Sequence, residues 1–318
     1  MKQKEILVFG ATGQIGRNLV RKLTQNNYKI VAVTRNIHRA GYILKTQANP
    51  GYLDLIEIKN FNYEKIKDLI KNCSICINLI GILYEKKKNQ FKTIHTDLPD
   101  MLSKIAFEED IEKFIHLSAL GVELAENSKY ASSKKNGEDK IIKNFKRSII
   151  IKPSIVYSVD DKFTTRFMTL LSRLPVMPLY YNGNTKFRPI HVSDIIEVIF
   201  RTIHRKHERL ILECVGPEVL SFKKILQNLL MSMNKKRILL PLPYPIAKIS
   251  AKILQLLPNP LLTEDQLNLL KFDNINTGLH KTNFDINIDA KKLFRSEIDK
   301  YSYNWKTGGQ FNYSTGDN

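Results

Sequence analysis

An apolar run, Ile6-Leu7-Val8-Phe9, leads straight into Gly10-Ala11-Thr12-Gly13-Gln14-Ile15-Gly16, and the residues that follow repeat with helical spacing. Glu5 to Gly10 reads as a strand and Gln14 to Asn26 as a helix with Ile15, Leu19 and Leu23 on one face. Glycine has no Cβ, so Gly10 can take the tight turn, Gly13 can admit a pyrophosphate to the backbone, and Gly16 can bring helix and strand close together. The N–H groups and dipole at the helix start would then hold phosphates. This assigns a dinucleotide site to Gly10, Ala11, Thr12, Gly13, Gln14, Ile15 and Gly16. The spacing is Gly-x-x-Gly-x-x-Gly rather than the Gly-x-Gly-x-x-Gly of ordinary dehydrogenases, so the position between strand and helix carries the reading more than the pattern does.

Strand and helix patterns alternate from that turn onward, the signature of a parallel sheet with crossover helices. Strands are expected at Lys29 to Thr34, Leu53 to Ile58, Ser74 to Leu79, Lys113 to Ser118 and Arg147 to Ile151, with helices at Tyr63 to Lys71, Leu98 to Glu109 and Ser132 to Asn144. The fold class is therefore α/β, a Rossmann-type doubly wound parallel sheet with a smaller C-terminal substrate-side subdomain. Past Pro153 a helix at Lys162 to Arg173 precedes Leu174-Pro175-Val176-Met177-Pro178, where prolines argue against a regular element. Val192 to Arg205 reads as a helix capped by Ser193 or Asp194, Leu210 to Val215 as a strand, and Phe222 to Met233 as a helix capped by Ser221. Residues 1–240 are expected to form the nucleotide-binding domain (core 5–155, later elements interleaved), 241–306 a helical subdomain and 307–318 a flexible tail.

At 318 residues the chain is long enough for a sizeable core, and no apolar run reaches the length of a membrane span. The first strand begins by residue 5, so neither a signal nor a transit peptide is expected and the cytoplasm is the expected compartment. Cys73 and Cys76 make a Cys-x-x-Cys, but within an apolar strand pattern they read as core residues, like Cys214, and no metal site is expected. The 50 basic against 31 acidic side chains leave a net charge of +19. The basic residues are scattered and carry no nucleic-acid reading module, which excludes nucleic acid as a partner; coding bias and attraction to an acidic partner or an anionic membrane face remain as explanations. Pro245 to Leu257, bounded by Pro243 and Pro258, sets Ile246, Ile249, Ile253 and Leu256 on one helical face beside Lys248 and Lys252. Packing of that face on its own domain is expected, with a membrane surface as the alternative.

Tyr130-Ala131-Ser132-Ser133-Lys134 places a tyrosine and a lysine four apart on one helical face, and Ser118 ends the strand before them. A tyrosine with a pKa of about 10 works near neutral pH only beside a cation. Lys134 would supply that charge and hold the cofactor ribose, and Ser118 would hold the reacting oxygen. Arg35 ends the second strand where an enzyme preferring the unphosphorylated cofactor places an acid, so NADP(H) is favoured over NAD(H). Arg39 is a second arginine nearby.

Together these features resemble the short-chain dehydrogenase/reductase superfamily in its extended or atypical branch, over about residues 5 to 240. The resemblance implies a catalytic set of Ser118, Tyr130 and Lys134. It further implies cofactor contacts at Asn60, at Asn78 to Gly81 (Ile80 and Gly81 above all) and at Pro153 to Val156 (Pro153 and Ile155). The runs Cys76 to Leu83, Ile151 to Tyr157, Phe187 to Asp194 and Leu261 to Gln266 are similar to bacterial relatives of the nucleotide-binding accessory subunit of respiratory complex I, extending the likeness to about residue 275. That likeness implies bound NADPH, a non-catalytic role in the mitochondrial members and links to quinone metabolism. Two readings stay open: an NADP(H)-dependent oxidoreductase on a small-molecule carbonyl or alcohol, and a non-catalytic accessory or assembly subunit with complex I as partner. Peripheral contact with the inner face of the cytoplasmic membrane accompanies the second.

Overall fold

The computed structural model describes residues 5–205, 209–257 and 259–309; Pro258 and residues 310–318 of the expected tail lie outside the described residues. The strands β1 (Glu5–Phe9), β2 (Lys29–Thr34), β3 (Leu53–Glu57), β4 (Ile75–Asn78), β5 (Lys113–Leu117) and β6 (Ser148–Pro153) form where the apolar runs placed them. Between them lie α1 (Gln14–Gln25), α2 (Ile37–Lys45), α3 (Tyr63–Lys71), α4 (Leu98–Glu108) and α5 (Lys129–Asn144). Every residue of β4 and β6 is buried, as expected for parallel strands covered by helices on both faces.

The rest of the chain comprises β7 (Val156–Tyr157), α6 (Thr164–Arg173), β8 (Val176–Tyr180), β9 (Lys186–Phe187), β10 (Ile190–His191), α7 (Val192–His204), β11 (Arg209–Cys214), β12 (Leu220–Ser221), α8 (Phe222–Ser232), β13 (Ile238–Leu242), α9 (Tyr244–Leu254), α10 (Glu264–Leu269), β14 (Lys281–Thr282) and α11 (Phe294–Asp299). Eight strands make one parallel sheet in the order β14-β11-β6-β5-β4-β1-β2-β3. The order reverses between β1 and β4, where Phe9 lies opposite Asn78. A switch point of this kind opens the crevice in which doubly wound sheets bind ligands.

The chain clusters into two compact units, and the division does not fall at residue 240. One unit holds Met1–Pro153, Ile195–Cys214 and Thr277–Asp289; the other holds Ser154–Asp194, Val215–Asn276 and Ala290–Asn318. The reason is sheet extension: β11 pairs with β6 along six residues, Arg209 against Ser148 through Cys214 against Pro153, and β14 then adds to β11. The second unit has its own core, in which Tyr157, Met168, Leu171, Leu179, Phe222, Leu226, Leu229, Phe294 and Ile298 are buried together.

The proline-rich run expected to be irregular is instead β8, paired in parallel with β13. A ribbon of two strands has two outer edges, and an edge tolerates the N–H that Pro178 and Pro241 lack. Ser193 and Asp194 do not cap α7, which begins at Val192. The Ser193 hydroxyl pairs with His191 Nδ1 at 2.8 Å, and Asp194 Oδ2 accepts the Lys292 N–H at 3.2 Å. Nor does α9 bury its apolar stripe: Ala247 and Ala251 face inward while Ile246, Ile249 and Ile253 are exposed.

Helix α5 begins at Lys129 because the Ser128 side chain caps it, accepting the Ala131 N–H at 3.2 Å. Its middle rests on a π-helical turn, Lys92–Asp97. A Cβ on Gly137 would lie 1.9 Å from the His95 carbonyl oxygen, so only glycine allows this approach. The Thr96 hydroxyl donates to the Ser133 carbonyl at 2.8 Å and holds the two helices there. Gly137→Ala is expected to force α5 off the turn and to cost about 1–3 kcal/mol or more as an overpacking change, read as a lower midpoint in urea denaturation.

Candidate functional site

Gly10 turns the chain at φ 80°, and a Cβ on it would stand 2.9 Å from the Leu79 carbonyl carbon. A Cβ on Gly16 would stand 2.3 Å from the Gly10 oxygen and 2.6 Å from the Ala11 Cα. Strand end, turn and helix thus meet backbone to backbone. Gly13 occupies the helix N-cap, where its N–H donates to the Gly10 oxygen at 3.0 Å and no side chain caps α1. The first turn holds no acidic residue, so no carboxylate of its own offsets the positive end of the helix dipole. Ala11 is buried, Thr12 and Gly13 are exposed, and Gln14 and Ile15 are half-buried. The buried face of α1 is Gly16, Leu19, Val20, Leu23 and Thr24, so Ile15 sits at the mouth of the turn rather than in the core. This glycine cradle fits a dinucleotide pyrophosphate.

Arg35 follows β2 in an exposed position, and Asn36 beside it caps α2 by accepting the Arg39 N–H at 2.9 Å. Arg39 and Asn60 are exposed as well. At the end of β4 the Asn78 side-chain Oδ1 accepts the Ile80 N–H at 3.1 Å, and its Nδ2 donates to His116 Nδ1 at 3.2 Å. The next residue, Gly81, lies over Lys134: a Cβ on it would be 3.4 Å from the Lys134 Nζ and 3.9 Å from His95 Nε2. Pro153 ends β6 and is buried; Ile155 belongs to the second unit, where it is half-buried.

Lys134 is buried, and its Nζ donates to the Leu117 carbonyl at 3.0 Å at the end of β5. Burial lowers its pKa to about 8, against the opposing pull of Glu138, so it remains largely protonated near neutral pH. Tyr130, one turn earlier on α5, meets the His95 ring edge-on with centroids 5.3 Å apart. His95 Nε2 accepts the Ile82 N–H at 3.1 Å, which leaves the proton on Nδ1 to donate to the Ser133 hydroxyl at 2.9 Å; that hydroxyl donates to the Tyr130 carbonyl at 2.8 Å. Burial, then the Lys134 charge, lowers the His95 pKa to about 3, so the imidazole is neutral.

Ser118 is turned elsewhere. Its hydroxyl donates to the Glu138 carboxylate, whose second oxygen takes the Lys152 ammonium at 3.1 Å. Lys152 is fully buried and also binds Glu123, which lies 3.4 Å from His280 Nε2. Burial pushes Glu138 above the usual carboxylate range despite Lys152 and Ser118. At Glu123 the Lys152 hydrogen bond and charge outweigh burial and hold the carboxyl below it. The structure thus brings Gly81, His95, Tyr130, Lys134 and the end of β5 together, and directs the Ser118 hydroxyl into a buried ion cluster. Sequence reasoning missed His95, Glu123, Glu138 and Lys152. One signal was visible: Lys152 interrupts the apolar Ile149-Ile150-Ile151, and a lysine on a buried strand demands a carboxylate partner. His95 had no comparable signal, because its role depends on a π-helical turn with no sequence signature.

Two outcomes follow from this chemistry. Lys152→Met should leave the buried Glu138 and the half-buried Glu123 without their cation and destabilise the protein by about 3–5 kcal/mol, with partial recovery in the Lys152→Met, Glu138→Gln double variant, measured by urea denaturation. For His95, the unfolded chain binds a proton below about pH 6.5 that the folded chain refuses down to about 3. Its contribution to stability is therefore complete above pH 6.5 and lost as pH falls toward 3. In His95→Gln, stability measured across that window should fall less steeply with acid than in the wild type.

The NAD dependent epimerase/dehydratase family matches residues 6–211. A mitochondrial protein of Arabidopsis thaliana, NADH dehydrogenase (ubiquinone) 1 alpha subcomplex subunit 9, is 25% identical over 84% of this chain and 70% of its own length. The ceramide reductase of Caulobacter vibrioides is 25% identical over 59% of this chain and 57% of its own. Among solved structures, MoeE5 in complex with UDP-glucuronic acid and NAD superposes with a TM-score of 0.68 over 95% of this chain and 98% of that one, at 15% identity, a likeness of fold alone. With the glycine turn, the switch-point sheet and the match along most of the sheet-forming sequence, the chain belongs to the NAD dependent epimerase/dehydratase family.

Proposed function

We propose that the chain binds NADP(H) and acts as an oxidoreductase on a carbonyl or alcohol. The observation that carries this reading is the buried Lys134 ammonium beneath Gly81, with Tyr130 one turn before it on α5. Residues of the glycine turn would hold the pyrophosphate, Arg35 the 2′-phosphate, Asn60 the adenine side, and Ile80, Gly81, Lys134 and Pro153 the nicotinamide half. When bound, the dinucleotide supplies or accepts a hydride at the carbon bearing the reacting oxygen. Tyr130 would hold and move the proton at that oxygen through its hydroxyl. The Lys134 charge would favour the phenolate and bind the ribose. Neutral His95 adds no competing positive charge, and its packing orients the tyrosine ring.

A second reading, bound NADPH as a stabilising element in an accessory or assembly subunit with complex I as partner, draws on one observation. The Ser118 hydroxyl is engaged by Glu138 and must leave it to meet a substrate oxygen. The names of the mitochondrial relatives point the same way.

The experiment is to purify the protein, identify any dinucleotide that co-purifies, and follow NADPH oxidation with quinones and aldehydes. The oxidoreductase reading expects turnover that falls about 10²–10⁴-fold in Tyr130→Phe. Tight NADPH binding without turnover would leave the accessory reading in its place. Arg35→Asp should weaken NADPH binding about 10-fold to 100-fold, the loss of one charge-assisted contact, with NADH less affected; a wild type that prefers NADH would overturn the role given to Arg35.

A further inference from the structure

The apolar stripe of α9 faces outward. Ile249 is 60% exposed, Ile253 63% and Leu256 81%, with Ile246 and Leu257 exposed beside them. At 100° per residue, Ala247 and Ala251 mark the inward side of the helix, and Ile249 lies opposite them. Burying alanine and exposing isoleucine reverses the arrangement of a helix that packs on its own domain. Lys248 and Lys252 are exposed along one border of the stripe, and Tyr244, half-exposed, stands at the start of the helix. Only Pro243 separates α9 from β13, which exposes Ile238 and Leu240. On the β8–β13 ribbon these two lie opposite Val176 and Pro178.

Charge selects the occupant. From Lys235 to Thr263 the chain holds five basic residues and no acidic one, within a protein of net charge +19. Glu264, just beyond that stretch, lies 4.0 Å from Lys252. Projecting isoleucines bordered by lysines suit the headgroup region of an anionic bilayer. On such a surface apolar side chains enter the acyl boundary and lysines snorkel to phosphates. Among the described residues no helix is long and apolar enough to cross a membrane. We infer that α9 docks the second unit on an anionic lipid surface, lying in its plane. The inference is independent of whether the dinucleotide turns over.

The test is co-sedimentation of the full-length protein with vesicles of phosphatidylcholine, with and without phosphatidylglycerol. Binding is expected to the phosphatidylglycerol vesicles, to weaken as salt rises, and to drop about 10-fold or more in Ile249→Glu, Ile253→Glu, given the cost of removing two inserted aliphatic side chains. Lys248→Glu, Lys252→Glu should weaken it too, and both variants should melt at the wild-type temperature because the altered side chains are exposed. Equal recovery with both vesicle types would overturn the inference. So would binding that survives the isoleucine changes, or a dimer in gel filtration, dispersed by Ile249→Glu, from a protein that ignores vesicles.

Discussion

Backbone contact between Gly16, the Gly10 oxygen and Ala11 sets the geometry from which the rest of the site is built. No other residue type fits, since the smallest side chain would stand well inside van der Waals contact. Because α1 is drawn against the end of β1, its N-terminus points along the crevice where the sheet order reverses between β1 and β4. The same turn brings Gly10 against Leu79, whose N–H donates to the Phe9 oxygen at 2.9 Å, so the segment that leads to Gly81 is tied to the start of the glycine loop. The glycine turn and the segment over Lys134 are therefore coupled through a few backbone atoms.

A second close approach, Gly137 on the His95 carbonyl, does for α5 what Gly16 does for α1. It seats the helix carrying Tyr130 and Lys134 on the π-helical turn. His95 is then enclosed among Phe91, Tyr130 and Ser133. An enclosed imidazole resists protonation, and a buried lysine gives up part of its proton affinity. The two effects support each other, because a charged His95 would add repulsion to an ammonium already short of solvent. His116 is buried beside them, and burial, then Lys134 and His95, holds its pKa well below the usual range.

The cluster around Lys152 shows how family membership and local chemistry diverge. A strand-end serine, a tyrosine and a lysine occur in the expected order, yet the serine hydroxyl binds Glu138 inside the protein. Glu138 lies one turn beyond Lys134 on the same helix, so the two ion groups share an electrostatic environment. Carboxylates are kept there by a lysine with no access to solvent. Such a cluster holds β6 to α5 and limits what Ser118 can do.

The sequence alone determined the sheet, the glycine turn and the order of Ser118, Tyr130 and Lys134, because period-two and period-3.6 patterns and missing Cβ atoms act locally. Arg35 and Asn60 were likewise legible as strand-end positions, and the structure leaves both exposed. What required the tertiary structure depends on distant segments meeting. Residues 209–214 and 281–282 return to the sheet edge and move the unit boundary away from residue 240. Pro178 enters a strand because β13 supplies a partner more than fifty residues later. The direction of the α9 stripe was undetermined by periodicity, which fixes that two faces differ but not which one is buried. Alanines face inward there, where close packing favours small side chains, and isoleucines are left for another surface. Likewise the partner of Ser118 depended on the approach of the end of β5 to Glu138 on α5, because a hydroxyl at a strand end bonds to whichever acceptor the fold brings within reach.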